Sequence, residues 1–258
     1  MDPCFAEYAK CYDLIYQDKD YPREAAYVSA LITAQLPRAP GELSVLDLAC
    51  GTGRHALEMS RLGYAVTGSD ASADMIEMAR QRAQAAGAAI DYFAESFQTC
   101  DVLGGRYDVV TAMFAAINYL TDRRDLRRTL DNVRKLLKPG GLFIFDFWNG
   151  NAVLSDYSPV RVKRGREAGR LVQRISQTVL DRLSHVATIN FEFMLIEDGC
   201  VKREFSEVHH VRYFFPQEMM DLLAESGFEV LKRCPFMQPD QALGEQDWNV
   251  TIVAKPCA

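Results

Sequence analysis

Apolar runs of strand length alternate with helix-like stretches through the first 150 residues of this 258-residue chain. In the helix-like stretches apolar positions recur at helical spacing. Strands that alternate with helices build a parallel sheet with helices on both faces, so the pattern predicts a doubly wound α/β fold. The predicted strands are residues 45–47, 64–68, 88–94, 107–114 and 142–148. The predicted helices are residues 24–36, 54–61, 72–86 and 122–137.

Beyond residue 150 the pattern changes to an alternation of apolar and polar positions. This alternation, over residues 171–196 and 201–215, indicates half-exposed antiparallel strands, with a hairpin turn at Asp198-Gly199. A helix over 216–226 and strands over 228–235 and 248–254 follow. We predict a seven-stranded, mostly parallel sheet with an antiparallel β insertion capping the active site. The predicted divisions are a helical arm (1–40), the core (41–150), the cap (151–213) and the segment that completes the sheet (214–258).

The sequence VLDLACGTGRHA, residues 45–56, is the densest chemical signal in the chain. Asp47 ends an apolar run, and Gly51 and Gly53 allow the backbone to approach a ligand at the start of a helix. Asp70 ends the next apolar run, where a carboxylate accepts hydrogen bonds from ribose hydroxyls. The loop lacks both the G-x-G-x-x-G spacing of dinucleotide sites and the Gly-Lys-Ser/Thr of a P-loop. Asp47 would repel a pyrophosphate, but it suits an ammonium or sulfonium group.

Together these residues resemble the S-adenosylmethionine site of the class I methyltransferases. The resemblance implies a Rossmann-like fold, S-adenosyl-L-methionine as cofactor and S-adenosyl-L-homocysteine as product. It also implies that Glu95 bonds the adenine amino group and that the backbone N–H of Ser96 meets the adenine ring. The other cofactor contacts that it implies are Ala49, Cys50, Ala71, Met75, Phe97, Met113 and Phe114.

Tyr8, Tyr12 and Tyr16 recur every four residues and would share one face of a helix. Such a stripe either packs on the body of the domain or forms a lid over the cofactor. The segment YDLIYQDKDYPREAAYV, residues 12–28, resembles the N-terminal arm of small-molecule enzymes related to the glycine and amino-sugar N-methyltransferases. In those relatives such an arm closes over the methionine end of the cofactor, so Tyr12 and Tyr21 are candidate cofactor contacts. Tyr8 is a candidate substrate contact.

Further candidate substrate contacts follow the fourth and fifth predicted strands. Open parallel sheets bind ligands at the carboxyl ends of their strands. The candidates after the fourth strand are Asn118 and Tyr119, and those after the fifth are Trp148 and Asn149. We expect one enclosed pocket at this edge of the sheet.

The sequence EVHHVRYF, residues 207–214, contains the candidate general base. On a strand, His209 faces one side together with Glu207, whereas His210 and Arg212 face the other. With DFWNGNAVL, residues 146–154, this segment resembles a bacterial methyltransferase subgroup that has an E-x-H-x-x-R-Y pattern. The resemblance makes His209 the candidate base lining the pocket and Arg212 a candidate substrate contact. The alternative is a histidine with a structural partner.

Composition and charge narrow the function classes. A formal net charge of −6 argues against general binding to nucleic acid or to an anionic membrane. No apolar run reaches the ~20 residues of a membrane span, and residues 1–10 lack the core of a signal peptide. The 7 scattered cysteines suit free thiols in the cytoplasm, and we expect no metal site.

We therefore expect an enzyme that methylates a small molecule at an amine or hydroxyl, such as a sugar or nucleotide sugar. A methyltransferase acting on RNA or protein is the alternative; it would need an open basic or peptide-shaped groove. A non-catalytic cofactor-binding module is a more distant alternative. A homodimer is compatible with the sequence.

Overall fold

The structure is a computed structural model that describes residues 6–167 and 169–257, with the backbone alone for residues 6–10. The helices are α1 (Ala6–Ile15), α2 (Tyr21–Gln35), α3 (Arg54–Arg61), α4 (Ala73–Ala85), α5 (Arg123–Leu136), α6 (Gly150–Ser155) and α7 (Pro216–Glu225). The first strands are β1 (Ser44–Leu48), β2 (Ala65–Ser69), β3 (Asp91–Phe93), β4 (Tyr107–Ala112) and β5 (Leu137–Trp148). The others are β6 (Val160–Glu167), β7 (Arg170–Asp181), β8 (Val186–Glu197), β9 (Cys200–Arg212), β10 (Phe228–Pro235) and β11 (Asn249–Pro256).

The larger sheet has 7 strands in the order β3-β2-β1-β4-β5-β11-β10. The first five run parallel, whereas β11 is antiparallel to both of its neighbours, β5 and β10. The predicted Rossmann-like, mostly parallel sheet is therefore confirmed. Between β1 and β4 the strand order reverses, and this is the point where such sheets open a crevice for a ligand.

Helices cover both faces of the sheet because its central strands are apolar on both faces. On one side α5 and α7 pack against β4 and β5 in a core that includes Leu126, Leu130 and Phe145. On the other side α2, α3 and α4 enclose a second core around Ile32 and Ile76. Burial on both faces fixes the sheet, so that the loops at its carboxyl edge have a rigid support.

Three of the differences from the predicted elements have a local cause. The third strand covers only Asp91–Phe93, because the chain turns after α4 at Gly87, whose φ is 64°. β5 begins at Leu137, not at residue 142, and the residues around Gly140 bulge out between two stretches that pair with β4. Residues 151–155, predicted as part of the antiparallel cap, belong instead to α6, because the Asn149 side chain caps that helix.

The second sheet has 4 antiparallel strands in the order β6-β7-β8-β9. Its inner face packs through Val172 and Phe193 against Ile15 of α1 and Met75 of α4. At Gly165 a Cβ atom would overlap the carbonyl oxygen of Leu14, so this glycine lets α1 lie against β6. The division of the chain into arm, core, cap and closing segment stays a prediction.

No helix in the described part of the chain combines the length and the hydrophobicity of a membrane span. The described residues also contain no group of three or more histidine, cysteine or acidic side chains that could hold a metal ion.

Candidate active site

A cavity of about 380 Å³ lies at the carboxyl ends of β1, β4 and β5, and the cap sheet contributes Ile189, Phe191 and Val211 to its wall. Most of the predicted contacts line it: Tyr12, Tyr21, Asp47, Ala49, Cys50, Gly51, Asp70, Ala71, Met75, Glu95, Ser96, Phe97, Met113, Phe114, Asn118, Tyr119 and Trp148. The predicted contacts that do not line the cavity are Gly53, Asn149, His209 and Arg212. The Tyr8 side chain lies outside the described residues. The ligand contacts themselves remain predictions.

Gly51 and Gly53 of the motif loop have different structural roles. Gly51 lines the cavity with a φ of 56°, and nothing in the described chain lies within 4 Å of a Cβ atom built on it. At Gly53, where φ is 74°, a Cβ atom would lie 2.6 Å from the hydroxyl of Tyr92 and 2.8 Å from Cβ of Ala79. We therefore assign Gly53 to close packing of the loop rather than to the cofactor, which corrects the predicted contact.

Asp47 is buried and only partly satisfied. Its Oδ1 accepts a hydrogen bond from Thr111 at 2.9 Å, whereas Oδ2 has no hydrogen-bond partner among the described residues. Burial raises the pKa of this carboxyl group, although His55 and the Thr111 hydrogen bond oppose the shift. A buried carboxylate oxygen without a donor suits a cation in the cavity, such as an ammonium group.

Asp70 receives hydrogen bonds from the motif loop and from the start of α4. The backbone N–H of Gly51 donates to Oδ2 and that of Ser72 donates to Oδ1, both at 2.9 Å. Burial raises the pKa of Asp70, and these two hydrogen bonds oppose the shift. Each carboxylate oxygen can accept a second hydrogen bond, so the predicted bonds from the ribose hydroxyls fit the geometry.

The adenine side requires one correction. Glu95, Ser96 and Phe97 line the cavity, but the backbone N–H of Ser96 donates to Oγ1 of Thr99 at 3.0 Å. This N–H group therefore already has a partner within the loop, which disfavours the predicted contact with the adenine ring. The turn formed by Ser96 and Thr99 could not be seen from strand periodicity.

A hydrogen bond attaches the arm to the motif loop, and an ion pair attaches it to α4. Asp13 at the end of α1 accepts a hydrogen bond from Thr52 Oγ1 at 2.8 Å, and it also pairs with Arg82 of α4. Arg82 donates in addition to the carbonyl oxygen of Thr52. Tyr21, whose buried hydroxyl has no partner among the described residues, then enters the cavity wall. The prediction missed Thr52, although its position between the two glycines was a usable signal.

On the side where we place the methyl acceptor, Tyr119 lines the cavity whereas His209 does not. His209 is buried behind Tyr119, and the Tyr119 hydroxyl lies 2.8 Å from Nδ1 of His209. Nε2 of His209 lies 3.3 Å from Oε2 of the buried Glu207. The predicted strand faces are correct, because Glu207 and His209 are buried whereas His210 is exposed. The prediction that His209 itself lines the pocket is wrong, since Tyr119 occupies that place.

Two other predicted substrate contacts have structural partners instead. The Asn149 side chain caps α6 through Asn151 and donates to three carbonyl oxygens in the segment 244–247. Arg212 pairs with Glu218 of α7 at 2.6 Å and lies over the ring of Phe214. We assign both residues to holding the end of the cap against the core.

His55 and Asn249 are two further polar residues of the cavity wall that had not been predicted. His55 lines the cavity while its Nε2 lies 2.7 Å from Glu24 of α2, and it follows the motif loop directly, which was a usable signal. Asn249 donates to Asp146 at 2.6 Å, and Asp146 in turn accepts from the backbone N–H of Ala115 at 3.0 Å. Asn249 is far from the motif in sequence, and no pattern indicated it.

Comparison with known proteins agrees with this site. Residues 45–141 match the family model Methyltransf_25, described as a methyltransferase domain. The dTDP-3-amino-3,4,6-trideoxy-alpha-D-glucopyranose N,N-dimethyltransferase of Streptomyces venezuelae is 29% identical over 227 residues, which cover 87% of this chain and 91% of that protein.

Solved structures resemble the chain over nearly its whole length. Streptomyces venezuelae DesVI is 25% identical, with a TM-score of 0.79 over 97% of this chain and 98% of that one. S-adenosylmethionine-bound CalS10, an amino pentose methyltransferase from Micromonospora echinaspora involved in calicheamicin biosynthesis, is 26% identical, with a TM-score of 0.72 over 96% and 95%. The matched domain, the carboxylate and glycine loop and these likenesses identify the chain as a class I S-adenosylmethionine-dependent methyltransferase.

Proposed function

We propose that this methyltransferase transfers methyl groups to the amine of an amino sugar carried on a nucleoside diphosphate. The observation that carries the proposal is the extent of the similarity to the sugar-modifying relatives. The likeness to CalS10, an amino pentose methyltransferase, covers 96% of the chain and so includes the cap sheet as well as the cofactor domain. The cap forms the acceptor side of the cavity, and a shared cap favours a shared class of acceptor.

The shape of the cavity supports a small acceptor over a macromolecule. Tyr12 and Tyr119 face it from the arm and the β4–α5 loop, and Trp148 and Phe191 face it from β5 and the cap. A cavity of about 380 Å³ with aromatic walls is typical of small-molecule sites. This enclosure disfavours RNA or protein as the acceptor.

The protein must also receive a proton, because an amine attacks only as the free base. Tyr119 Oη is placed to accept a proton from the acceptor ammonium while it passes its own proton to Nδ1 of His209, 2.8 Å away. Glu207, 3.3 Å from Nε2, would stabilise the imidazolium that forms. The buried pair thus supports Tyr119 as the group that contacts the acceptor.

The cofactor fits the residues on the opposite side of the cavity. The unpartnered oxygen of Asp47 would hold the ammonium group of the methionine part, and Asp70 would hold the ribose. When bound, S-adenosylmethionine supplies a methyl group on a sulfonium, which is a good leaving group without further activation. The arm and cap contribute by orienting the acceptor amine and excluding water.

The test is direct assay of the purified protein with dTDP-linked amino sugars. We expect dTDP-3-amino-3,6-dideoxy-alpha-D-glucopyranose to gain one and then two methyl groups by mass spectrometry. The matched control carries a hydroxyl in place of the amine, and we expect no transfer to it. Methylation of the control, or of an RNA or protein substrate in preference to every amino sugar, would refute the proposal.

We also place the enzyme in a reducing compartment such as the cytoplasm. The described cysteines Cys11, Cys50, Cys100, Cys200, Cys234 and Cys257 are all free thiols, and free thiols are typical of that compartment.

A further inference from the structure

Asn118 is a buried side chain of the cavity wall with one half of its amide unused. It lies in the short turn Ala116–Tyr119 after β4 and is fully buried. Its Oδ1 accepts a hydrogen bond from the backbone N–H of Trp148 at 3.4 Å, which fixes the orientation of the amide. Its Nδ2 is buried and has no acceptor among the described residues. Native proteins avoid a buried amide without an acceptor, so this one requires an explanation.

The location of Asn118 indicates which ligand would supply the missing hydrogen-bond partner of Nδ2. Two other buried polar atoms of the same wall lack partners in the described chain, and they belong to Asp47 and Tyr21, on the cofactor side. Asn118 instead stands between Tyr119 and Trp148, on the side where we place the acceptor. We therefore assign Nδ2 to the side of the methyl acceptor, where it requires an atom that accepts a hydrogen bond.

The reacting nitrogen cannot be that atom. Its lone pair forms the new bond to the methyl carbon, and a hydrogen bond from Nδ2 would occupy the same lone pair. Asn118 is also neutral, so it does not disfavour a nearby ammonium group as a lysine or arginine would. An oxygen on a carbon beside the amine satisfies both conditions.

We propose that Asn118 is a specificity-determining residue that donates from Nδ2 to a hydroxyl next to the reacting amine. The acceptor class is then an amino sugar in which amine and hydroxyl occupy adjacent carbons. This inference rests on the proposed function and deepens it, because it selects among amino sugars. A site built to hydrogen-bond a hydroxyl discriminates strongly against an analogue that lacks it, because its own polar group is left buried and unpaired.

Two pairs of acceptors test the proposal. The first pair, dTDP-3-amino-3,6-dideoxy-alpha-D-glucopyranose and its 3,4,6-trideoxy analogue, differs only in the hydroxyl at C4. The second pair compares the first compound with its 2-deoxy analogue. We expect the wild-type enzyme to prefer the hydroxylated member of one pair by about 10- to 100-fold in kcat/KM, the cost of leaving one buried donor unpaired. In Asn118→Leu, which keeps the branching of the side chain but has no N–H to donate, we expect this ratio to fall close to one.

The controls separate specificity from structure. If Asn118 only supports the fold, Asn118→Leu lowers kcat/KM for both members of a pair equally and the ratio persists, which overturns the proposal. Affinity for S-adenosylhomocysteine should not change, and its loss with an unchanged ratio would assign Nδ2 to the cofactor instead. Thr129→Val is the matched control, because the Thr129 hydroxyl is also buried without a partner among the described residues but lies outside the cavity wall.

Calorimetric binding in the presence of S-adenosylhomocysteine keeps this test independent of turnover. If no amino sugar is methylated, yet wild type binds one hydroxylated member more tightly and Asn118→Leu does not, the proposed function fails and the assignment of Asn118 stands. If wild type shows no preference within either pair, in binding or in turnover, the assignment is overturned.

Discussion

The buried aspartates at the two ends of the parallel sheet differ in their hydrogen-bond partners and in the direction of their pKa shifts. Asp108, at the amino end of β4, is paired with Arg38 and Lys138, both at 2.7 Å, and accepts hydrogen bonds from the backbone N–H and the hydroxyl of Ser44. Burial alone would raise the pKa of Asp108, but these hydrogen bonds outweigh it and hold the pKa well below its usual range. Asp47, near the carboxyl end of β1, has one hydrogen bond and a raised pKa.

The difference separates stability from function. A fully paired carboxylate stabilises the fold, whereas one with an unpartnered buried oxygen weakens the fold and gains when a cationic ligand binds. Asp47, Tyr21 and Asn118 all have an unpartnered polar atom among the described residues, and all lie in the cavity wall. Changes at the carboxyl end should therefore alter catalysis or binding, and changes at the amino end should alter stability.

The largest expected effect concerns the buried pair behind Tyr119. Removing a positioned base typically lowers the rate by about 10²- to 10⁴-fold, and we expect a loss of kcat of that order in His209→Asn. Affinity for S-adenosylhomocysteine, measured by calorimetry, should stay near the wild-type value. His210→Asn is the matched control, because His210 is adjacent but exposed on the other face of β9. Equal losses in both variants would contradict a role for His209 in proton transfer.

The next effect concerns cofactor affinity at the carboxyl end. Asp70→Asn keeps the shape of the side chain but removes its charge, so the hydrogen bonds from the ribose hydroxyls should weaken. We expect S-adenosylmethionine binding to lose about 1.5–3 kcal/mol, the range for hydrogen bonds to a charged group. Asp108→Asn, at the opposite end, should leave the affinity unchanged. Calorimetry that finds the wild-type affinity in Asp70→Asn would rule out the ribose assignment.

A substitution at the amino end of the sheet, Asp108→Asn, should lower the stability of the protein by a smaller amount. Asp108→Asn removes the charge that Arg38 and Lys138 face, and we expect the free energy of unfolding to drop by about 1–2 kcal/mol, because both basic partners are partly exposed and screened. Chemical denaturation at neutral pH measures this. Asp131→Asn, at an exposed position on α5, should change stability by less than about 0.5 kcal/mol.

The Asp108→Asn substitution should also alter the pH dependence of stability. The folded pKa of Asp108 lies below the unfolded value, so its contribution is present above the unfolded pKa and is lost as the pH falls toward the folded one. The wild-type advantage over Asp108→Asn should shrink on acidification below about pH 4. A constant difference between the two proteins across that window would show that Asp108 is not the group that titrates.

The smallest effect is a gain in stability. The folded pKa of Asp47 is raised, so at neutral pH its charge weakens the fold, and this penalty disappears at low pH. Asp47→Asn should therefore raise the unfolding free energy of the ligand-free protein by about 0.5–2 kcal/mol, while it weakens S-adenosylmethionine binding. Parallel denaturation and calorimetry measure both quantities. If Asp47→Asn lost stability like Asp108→Asn, the contrast between the two ends of the sheet would not hold.

Periodicity and local motifs predicted much of the site. The strands of the parallel sheet, the positions of Asp47 and Asp70 at their carboxyl ends, and the division of β9 into a face with His209 and a face with His210 all follow from short-range patterns. The boundaries were predicted less accurately. Asn149 follows the fifth strand as predicted, but the helix that its side chain caps was not visible in the apolar pattern.

Contacts between distant segments could not be predicted in this way. A strand pattern tells which side of β9 carries His209, but not which residue stands between that side and the cavity. Tyr119, 90 positions away in sequence, occupies that place. Arg212 was expected in the pocket, but it pairs with Glu218 in the first turn of α7, a nearby partner that the strand pattern also does not indicate.

By itself, the sequence determined the α/β fold, the cofactor class and the identity of the carboxylates at the sheet edge, because each depends on residues close together in the chain. Only the tertiary structure decided which polar atoms are satisfied. Asp108 pairs with Arg38 from the loop after α2 and with Lys138 from β5, whereas Oδ2 of Asp47 and Nδ2 of Asn118 have no partner in the described chain. Hydrogen-bond satisfaction is a property of atoms brought together by folding, so no local pattern could reveal it.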